Sequence, residues 1–274
     1  MTSRLPLSVL ILTKNEEARL AACLRSVATC DDVVVLDSGS TDRTVEIART
    51  LGARVFVHPF RDFAQQRNHG MDTVPFRHPW VFHLDADEVM TPELIAECAQ
   101  LDPAGAFDGY YAAPRMMFHG HWLKRCTDFP AWQARCVRVG RFRFVQAGHG
   151  QREAPGLHLG FLRGTYLHDI SVPDLAAWER KHRRYAREEA AAFLAEGETS
   201  LAPLWRGPSL ARRRTLKRIS YALPARPLLR FIYQYFLRLG FLDGAPAWRY
   251  CRLLARYERF AAEALAELRQ SPHG

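Results

Sequence analysis

The 274-residue sequence lacks any apolar stretch close to the roughly 18 residues that a membrane-spanning helix requires. It also lacks a Cys-x-x-Cys pair. The six cysteines, Cys23, Cys30, Cys98, Cys126, Cys136 and Cys251, are scattered, which suits reduced thiols better than a disulfide framework. There is no low-complexity tract and no repeat of solenoid period. No Gly-x-Gly-x-x-Gly turn is present, which removes the dinucleotide-binding dehydrogenases. The first apolar run is short for a signal peptide and ends in Lys14, Glu16 and Glu17 rather than in small residues, so a cytoplasmic protein is expected.

Hydrophobic residues make up 48% of the chain, enough for a sizeable core, and 38 Lys and Arg outnumber 29 Asp and Glu. The net charge of +9 calls for a polyanionic partner, and nucleic acid, anionic lipid and diphosphate substrates all qualify.

The first half alternates strand and helix. Leu7 to Leu12, Val33 to Leu36, Val55 to Val57 and Trp80 to Leu84 are apolar, strand-like runs. Between them, Leu20, Leu24 and Val27 recur at helical spacing, with Asn15 as a cap and Glu16 and Glu17 in the first turn. A second helix carries Ile47, Ala48 and Leu51 and stops at Gly52; a third runs from Phe63 to Met71. Strands apolar throughout and separated by helices predict a parallel sheet covered on both faces, with ligands beyond the strands' carboxyl ends. Thr13, Asn15, Asp37, Asp85 and Asp87 all fall there.

His83-Leu-Asp-Ala-Asp-Glu88 carries the sharpest signal. Alternate residues of an extended segment share a side, so Asp85 and Asp87 can converge on one point. Two hard oxygen ligands suit Mg²⁺ or Mn²⁺ bridging to a diphosphate. The bland alternatives are turn and cap roles for Asp37, Asp42 and Asn15, and a solvated helix face for Arg67. A dehalogenase-type phosphatase would carry its Asp-x-Asp on the first strand. A sugar nucleotidyltransferase would want a glycine-rich basic loop where Thr13-Lys-Asn-Glu-Glu17 stands.

Four segments occur in order: Val9-Leu-Ile-Leu-Thr-Lys-Asn-Glu16, Val35-Leu-Asp-Ser-Gly-Ser-Thr-Asp-Arg-Thr44, Gln66-Arg-Asn68 and Leu84-Asp-Ala-Asp-Glu88. The set resembles the family 2 inverting glycosyltransferases, which have the GT-A fold. Trp132-Gln-Ala-Arg135, Gly148-His-Gly-Gln-Arg-Glu153, Tyr166-Leu-His168, Lys181-His-Arg-Arg-Tyr185 and Gly240-Phe-Leu-Asp-Gly244 are similar to segments of a narrower group. It comprises bacterial lipopolysaccharide-core β-1,4-glucosyltransferases and related capsule and exopolysaccharide enzymes.

The resemblance implies an α/β fold with a mostly parallel, Rossmann-like sheet and flanking helices over residues 1–168, then a helical extension over 169–274. It implies a nucleotide-sugar donor, of the UDP class, held by Thr13, Asn15, Glu16, Asp37, Arg67 and Asp85. A Mg²⁺ or Mn²⁺ ion would sit on Asp87 and Asp85, with His168 as a further contact; a purely structural His168 is the alternative. Inversion needs a base to take the acceptor's proton. The resemblance makes Glu153 the expected base, since its motif follows the strands after the Asp-x-Asp element, where the family places its base, and Asp128 the reserve. This chain departs from many relatives in having Ala131, not an acidic residue, just before the Trp-Gln pair. Glu153 could instead form only a surface ion pair with Arg152 or a neighbour. His119-Gly-His121 with Cys126 and Cys136 matches no standard zinc spacing and is expected to border the acceptor pocket.

The last third is basic and aromatic. A helix is expected from Pro173 to Gly197, a basic stretch from Trp205 to Arg218, a short helix from Leu228 to Leu239, and a last helix from Ala247 to Arg269. Arginines beside Trp, Tyr and Phe suit a segment lying in a membrane interface. The same aromatics could instead pack these helices onto the catalytic domain. The partners expected are the donor, a lipid-linked or glycan acceptor and the inner face of the cell membrane, with no nucleic acid.

Overall fold

The computed structural model describes residues 5–147, 150–195 and 225–270. The chain forms two compact units. The first comprises Met1–Met117 and Phe129–Asp169, and the second Phe118–Asp128 and Ile170–Gly274.

In the first unit, β1 (Leu5–Thr13), β2 (Cys30–Asp37), β3 (Arg54–Val57) and β4 (Trp80–Asp85) form the parallel half of the sheet, in spatial order β3-β2-β1-β4. The sheet continues through β8 (Gln133–Arg138), β6 (Gly109–Phe118), β11 (Leu159–Asp169) and β5 (Glu88–Met90). The sheet is mostly parallel, as expected, with antiparallel pairings in its second half. Strand β8 runs antiparallel to both β4 and β6, and β5 is antiparallel to β11, while β11 and β6 are parallel. The sheet is therefore mixed. The hairpin of β9 (Phe144–Ala147) and β10 (Gly150–Glu153) is a separate two-stranded sheet.

Strand β1 shows why both faces are covered. Leu7, Val9 and Ile11 pack into one layer with Leu20 and Leu24 of α1 (Leu20–Ser26) and Leu94 of α4 (Pro92–Ala99). Leu10 and Leu12 enter the opposite layer, with Ala64 and Met71 of α3 (Phe63–Thr73). Helix α2 (Thr44–Thr50) stops before Gly52, whose φ of +81° suits glycine. Helix α3 approaches β1 through Gly70, where a Cβ would come within 2.6 Å of Leu10. The Asp62 carboxylate caps α3 by accepting the Gln65 N–H.

Helix α1 begins at Leu20, not beside Asn15. Asn15 has φ +54° and takes part in a loop, so Glu16 and Glu17 precede the helix rather than form its first turn.

The second unit holds β7 (His121–Trp122), α5 (Leu175–Ala195), α6 (Arg226–Ile232), a π-helical turn (Tyr233–Leu237), a 3₁₀ turn (Gly240–Asp243) and α7 (Ala245–Gln270). Helices α5 and α7 pack through small residues, Ala186 and Ala190 against Phe260, Ala261 and Ala264, with Trp178 alongside. The expected extension of α5 to Gly197 and the basic stretch from Trp205 to Arg218 lie outside the described residues. No helix among the described residues is long and apolar enough to cross a membrane. All six cysteines are free and buried.

Candidate active site

The carboxyl ends of β1 and β2 carry two loops that are stitched together. The Asn15 N–H donates to Ser40 Oγ and the Thr41 N–H to Asn15 Oδ1, both at 2.8 Å. The Glu16 N–H donates to Thr44 Oγ1, the Glu17 N–H to Asp42, and the Arg43 N–H to Glu17. Buried Asp37 organises the second loop by accepting the N–H groups of Gly39 and Ser40. Asn15 is thus a bridge between loops rather than a helix cap.

Beyond these strand ends lies a cleft of about 350 Å³ lined by Thr13, Glu16, Asp85, Asp87 and His168, together with Lys14, Ser38 and Gln66. The hydroxyl of Thr13 is buried with no hydrogen-bond partner, a polar group available to a ligand.

Asp85 and Asp87 occupy different surroundings. Asp85 ends β4 and is gripped by two buried guanidiniums, Arg67 at 2.7 Å and Arg135 at 3.3 Å. Burial alone would push its carboxyl up, but Arg67 and Arg135 outweigh that and hold it at about 2. Arg67 is only 1% exposed and lies over the Phe144 ring, so it reaches the cleft through Asp85 and is not on a solvated face. Arg135 continues the chain of charge. Its guanidinium binds Glu88 at 2.7 Å, the His83 carbonyl, Gln133 and the Tyr166 hydroxyl. Glu88 in turn accepts the Asp85 N–H, and burial pushes its own carboxyl up to about 7.

Asp87 lies in the turn between β4 and β5 and stands 3.6 Å from His168 Nε2 and 3.6 Å from Arg19. His168 Nδ1 lies 3.8 Å from Glu88. Burial opposes charge on the imidazole, yet the carboxylates of Asp87 and Glu88 raise its pKa above the ordinary value. One carboxylate and one imidazole facing a cleft make an open donor set suited to Mg²⁺ or Mn²⁺. Among the described residues no three His, Cys, Asp or Glu side chains gather as a closed metal site. The remaining ligands of an ion there would have to be substrate or water oxygens, as a diphosphate supplies.

Glu153 lies on β10 directly across from Phe144, the residue beneath Arg67. Its Oε1 accepts the Tyr111 hydroxyl at 2.8 Å; burial, then this carboxylate, push the phenol up to about 12. The exposed Phe161 ring lies 5.1 Å from that of Tyr111, centroid to centroid, and the exposed Trp132 ring 5.0 Å from that of Phe161. Asp128 belongs to the second unit, where its side chain is 76% exposed and 3.6 Å from Arg238. His119 and His121, with Cys126, also belong to that unit.

The cleft therefore gathers Thr13, Glu16, Asp85, Asp87 and His168, with Asn15 and Asp37 shaping its rim and Arg67 behind Asp85. Sequence reasoning did not single out Arg135, Glu88 or Gln66 for a role. The available signal was a charged residue at Arg135 amid Ala134, Cys136 and Val137, because a buried charge in a strand needs a partner.

The glycosyl transferase family 2 profile matches residues 8–144, half of the chain and nearly all of the cleft. An uncharacterized glycosyltransferase of Rickettsia typhi is 40% identical over 143 residues, 51% of this chain and 47% of that protein. The lipopolysaccharide core biosynthesis glycosyltransferase LpsC of Rhizobium meliloti is 35% identical over 108 residues, 35% of this chain and 39% of its own length. The chain thus spans about half or less of the length of these relatives. A crystal structure of glucosyl-3-phosphoglycerate synthase from Mycobacterium tuberculosis, with Mn²⁺ and uridine-diphosphate-glucose, aligns with a TM-score of 0.32 at 23% identity. That alignment covers 42% of this chain and 44% of the synthase, too slight a likeness to carry donor or metal across.

Proposed function

The chain belongs to glycosyl transferase family 2 and is a glycosyltransferase, and from that premise we propose that it moves a sugar from a UDP-sugar, with inversion, onto a lipopolysaccharide-core, lipid-linked or polysaccharide acceptor at the inner face of the cell membrane. The observation that carries this reading is the cleft where Asp87 and His168 face each other at 3.6 Å, beside an Asp85 already neutralised by arginines.

Thr13, Asn15, Glu16, Asp37 and Asp85 are assigned to the donor. Asp85 shares its oxygens with two guanidiniums, so it contributes a fixed carboxylate whose turn sets the position of Asp87. Arg67 acts through Asp85. Asp87, with His168 and support from Asp85, would hold Mg²⁺ or Mn²⁺, which when bound offsets the charge developing on the leaving diphosphate.

Glu153 is assigned as the base. It takes the proton of the acceptor hydroxyl as that oxygen attacks the anomeric carbon. The bond from that carbon to the diphosphate breaks, and its electron pair leaves with the nucleoside diphosphate. The Tyr111 hydroxyl fixes one carboxylate oxygen of Glu153, and the open faces of Trp132 and Phe161 suit an apolar face of an acceptor sugar. Asp128 remains the reserve base.

A thermal-shift panel of nucleotide-sugars with and without Mn²⁺ tests the donor side, because a ligand that binds only the folded state raises the melting temperature. A UDP-sugar should stabilise the protein in the presence of Mn²⁺, and Asp87→Ala should remove the metal-dependent part. A shift given equally by inorganic phosphate, or unaffected by Asp87→Ala, would sink the assignment.

A further inference from the structure

The second unit has an outer face that its own packing leaves unused. In the stretch from α6 to the start of α7, the inward side is already complete. Phe231, Tyr235 and Ala247 pack with Phe118, Leu123 and Cys126. Gly240 seats so closely that a Cβ would lie 2.6 Å from the Gln234 carbonyl oxygen and 2.8 Å from Cys126. Yet ten of the eighteen exposed large hydrophobic residues among those described fall between positions 228 and 248. Leu237 is 72% exposed and Phe236 52%. A helical segment apolar on both sides is normally buried or in contact with lipid, and an exposed apolar patch of this kind marks an interaction site.

The sequence here is rich in arginine, although Arg226, Arg238 and Arg256 already pair with Glu258, Asp128 and Glu179. Between residues 225 and 257 there are six arginines and a single acid, Asp243. That acid is turned to its own unit, accepting the N–H groups of Arg125 and Cys126. Arg249 and Arg252 are exposed and pair with no carboxylate among the described residues.

We propose that residues 228–242 with Trp248 form a docking face that lies in the interface of an anionic lipid bilayer, apolar side chains among the acyl chains and arginines at the headgroups. Charge complementarity selects this occupant. A second copy would bring a face of the same sign, on a chain of net charge +9. Residues 196–224 are also a poor cover, with six Lys and Arg against two Glu. Anionic headgroups match the arginines, and the exposed Trp and Tyr suit the boundary between apolar and wet layers. The assignment deepens the partner named above and rests on the membrane part of that reading.

Vesicle co-sedimentation of the full chain, without donor or acceptor, tests it separately from sugar transfer. The protein should pellet with vesicles containing phosphatidylglycerol and much less with phosphatidylcholine alone. Leu237→Asp with Phe236→Asp should weaken that binding about tenfold or more at an unchanged melting temperature. Arg249→Gln with Arg252→Gln should weaken it about tenfold on anionic vesicles only. Wild-type binding by the Asp pair overturns the proposal. So does a wild type that ignores both vesicles, whether as a dimer split by Leu237→Asp or as a monomer. Vesicle binding without any response to nucleotide-sugar would instead leave the docking face standing and sink the transferase chemistry.

Discussion

The cleft of the first unit and the outer face of the second depart from ordinary burial in opposite directions. Around the cleft, charged groups go inside: Arg67, Arg135 and Glu88 are buried, each held by a partner of opposite sign. On the second unit's face, Leu237, Phe236 and their neighbours stay outside while the interior beneath them is filled. Neither arrangement is what folding alone would choose. Buried ion pairs are often no more stable than apolar residues of the same volume, and exposed apolar side chains contribute little to the folded state. Local departures of this kind are expected where a protein does something besides fold.

Mutations can break or sharpen this contrast. The largest effect is expected at Glu153, whose replacement by Gln keeps the shape and removes the proposed proton acceptor. Turnover should fall roughly 10²–10⁴-fold with donor affinity intact. Near-wild-type turnover in Glu153→Gln, together with collapse in Asp128→Asn, would transfer the base to the second unit. Next comes Arg135→Leu, which strands buried Glu88, leaves Asp85 to Arg67 alone, and should cost about 3–5 kcal/mol in urea unfolding. A loss below about 1 kcal/mol is the cost of an ordinary surface pair and would show the charge network to be dispensable. The smallest effect belongs to Leu237→Asp, which should leave stability within about 0.5 kcal/mol of wild type, as an exposed position allows. A loss of several kcal/mol there would mean that the face is interior after all.

Much of the first unit was legible in the sequence. The runs at β1, β2 and β4 are so uniformly apolar that buried parallel strands are the natural reading, and the polar residues directly after them mark the cleft. The antiparallel half was not legible, because Gln133-Ala-Arg-Cys-Val-Arg138 mixes charge into a strand and hides its burial. Those arginines are tolerated only because long-range partners meet them. Arg135 finds Glu88 across 47 positions, a pairing no local pattern encodes. The same limit explains Asn15, where the local pattern favours a cap but the side chain is taken by Thr41 from a different loop. The segment Phe118–Asp128 lies within the stretch expected to form the first domain. It groups with the second unit through contacts such as those of Asp243 with Arg125 and Cys126, which are distant in sequence.

The seam between the loops after β1 and β2 bears on how selective the cleft can be. Six side-chain hydrogen bonds cross from one loop to the other, so neither can swing aside without unfastening its neighbour. A rim fastened in this way behaves as a single plate, and an incoming ligand, a nucleotide on the proposed reading, must match the gap as it stands. Discrimination between nucleotides would then be a matter of preformed shape, with little left to adjust after the ligand arrives.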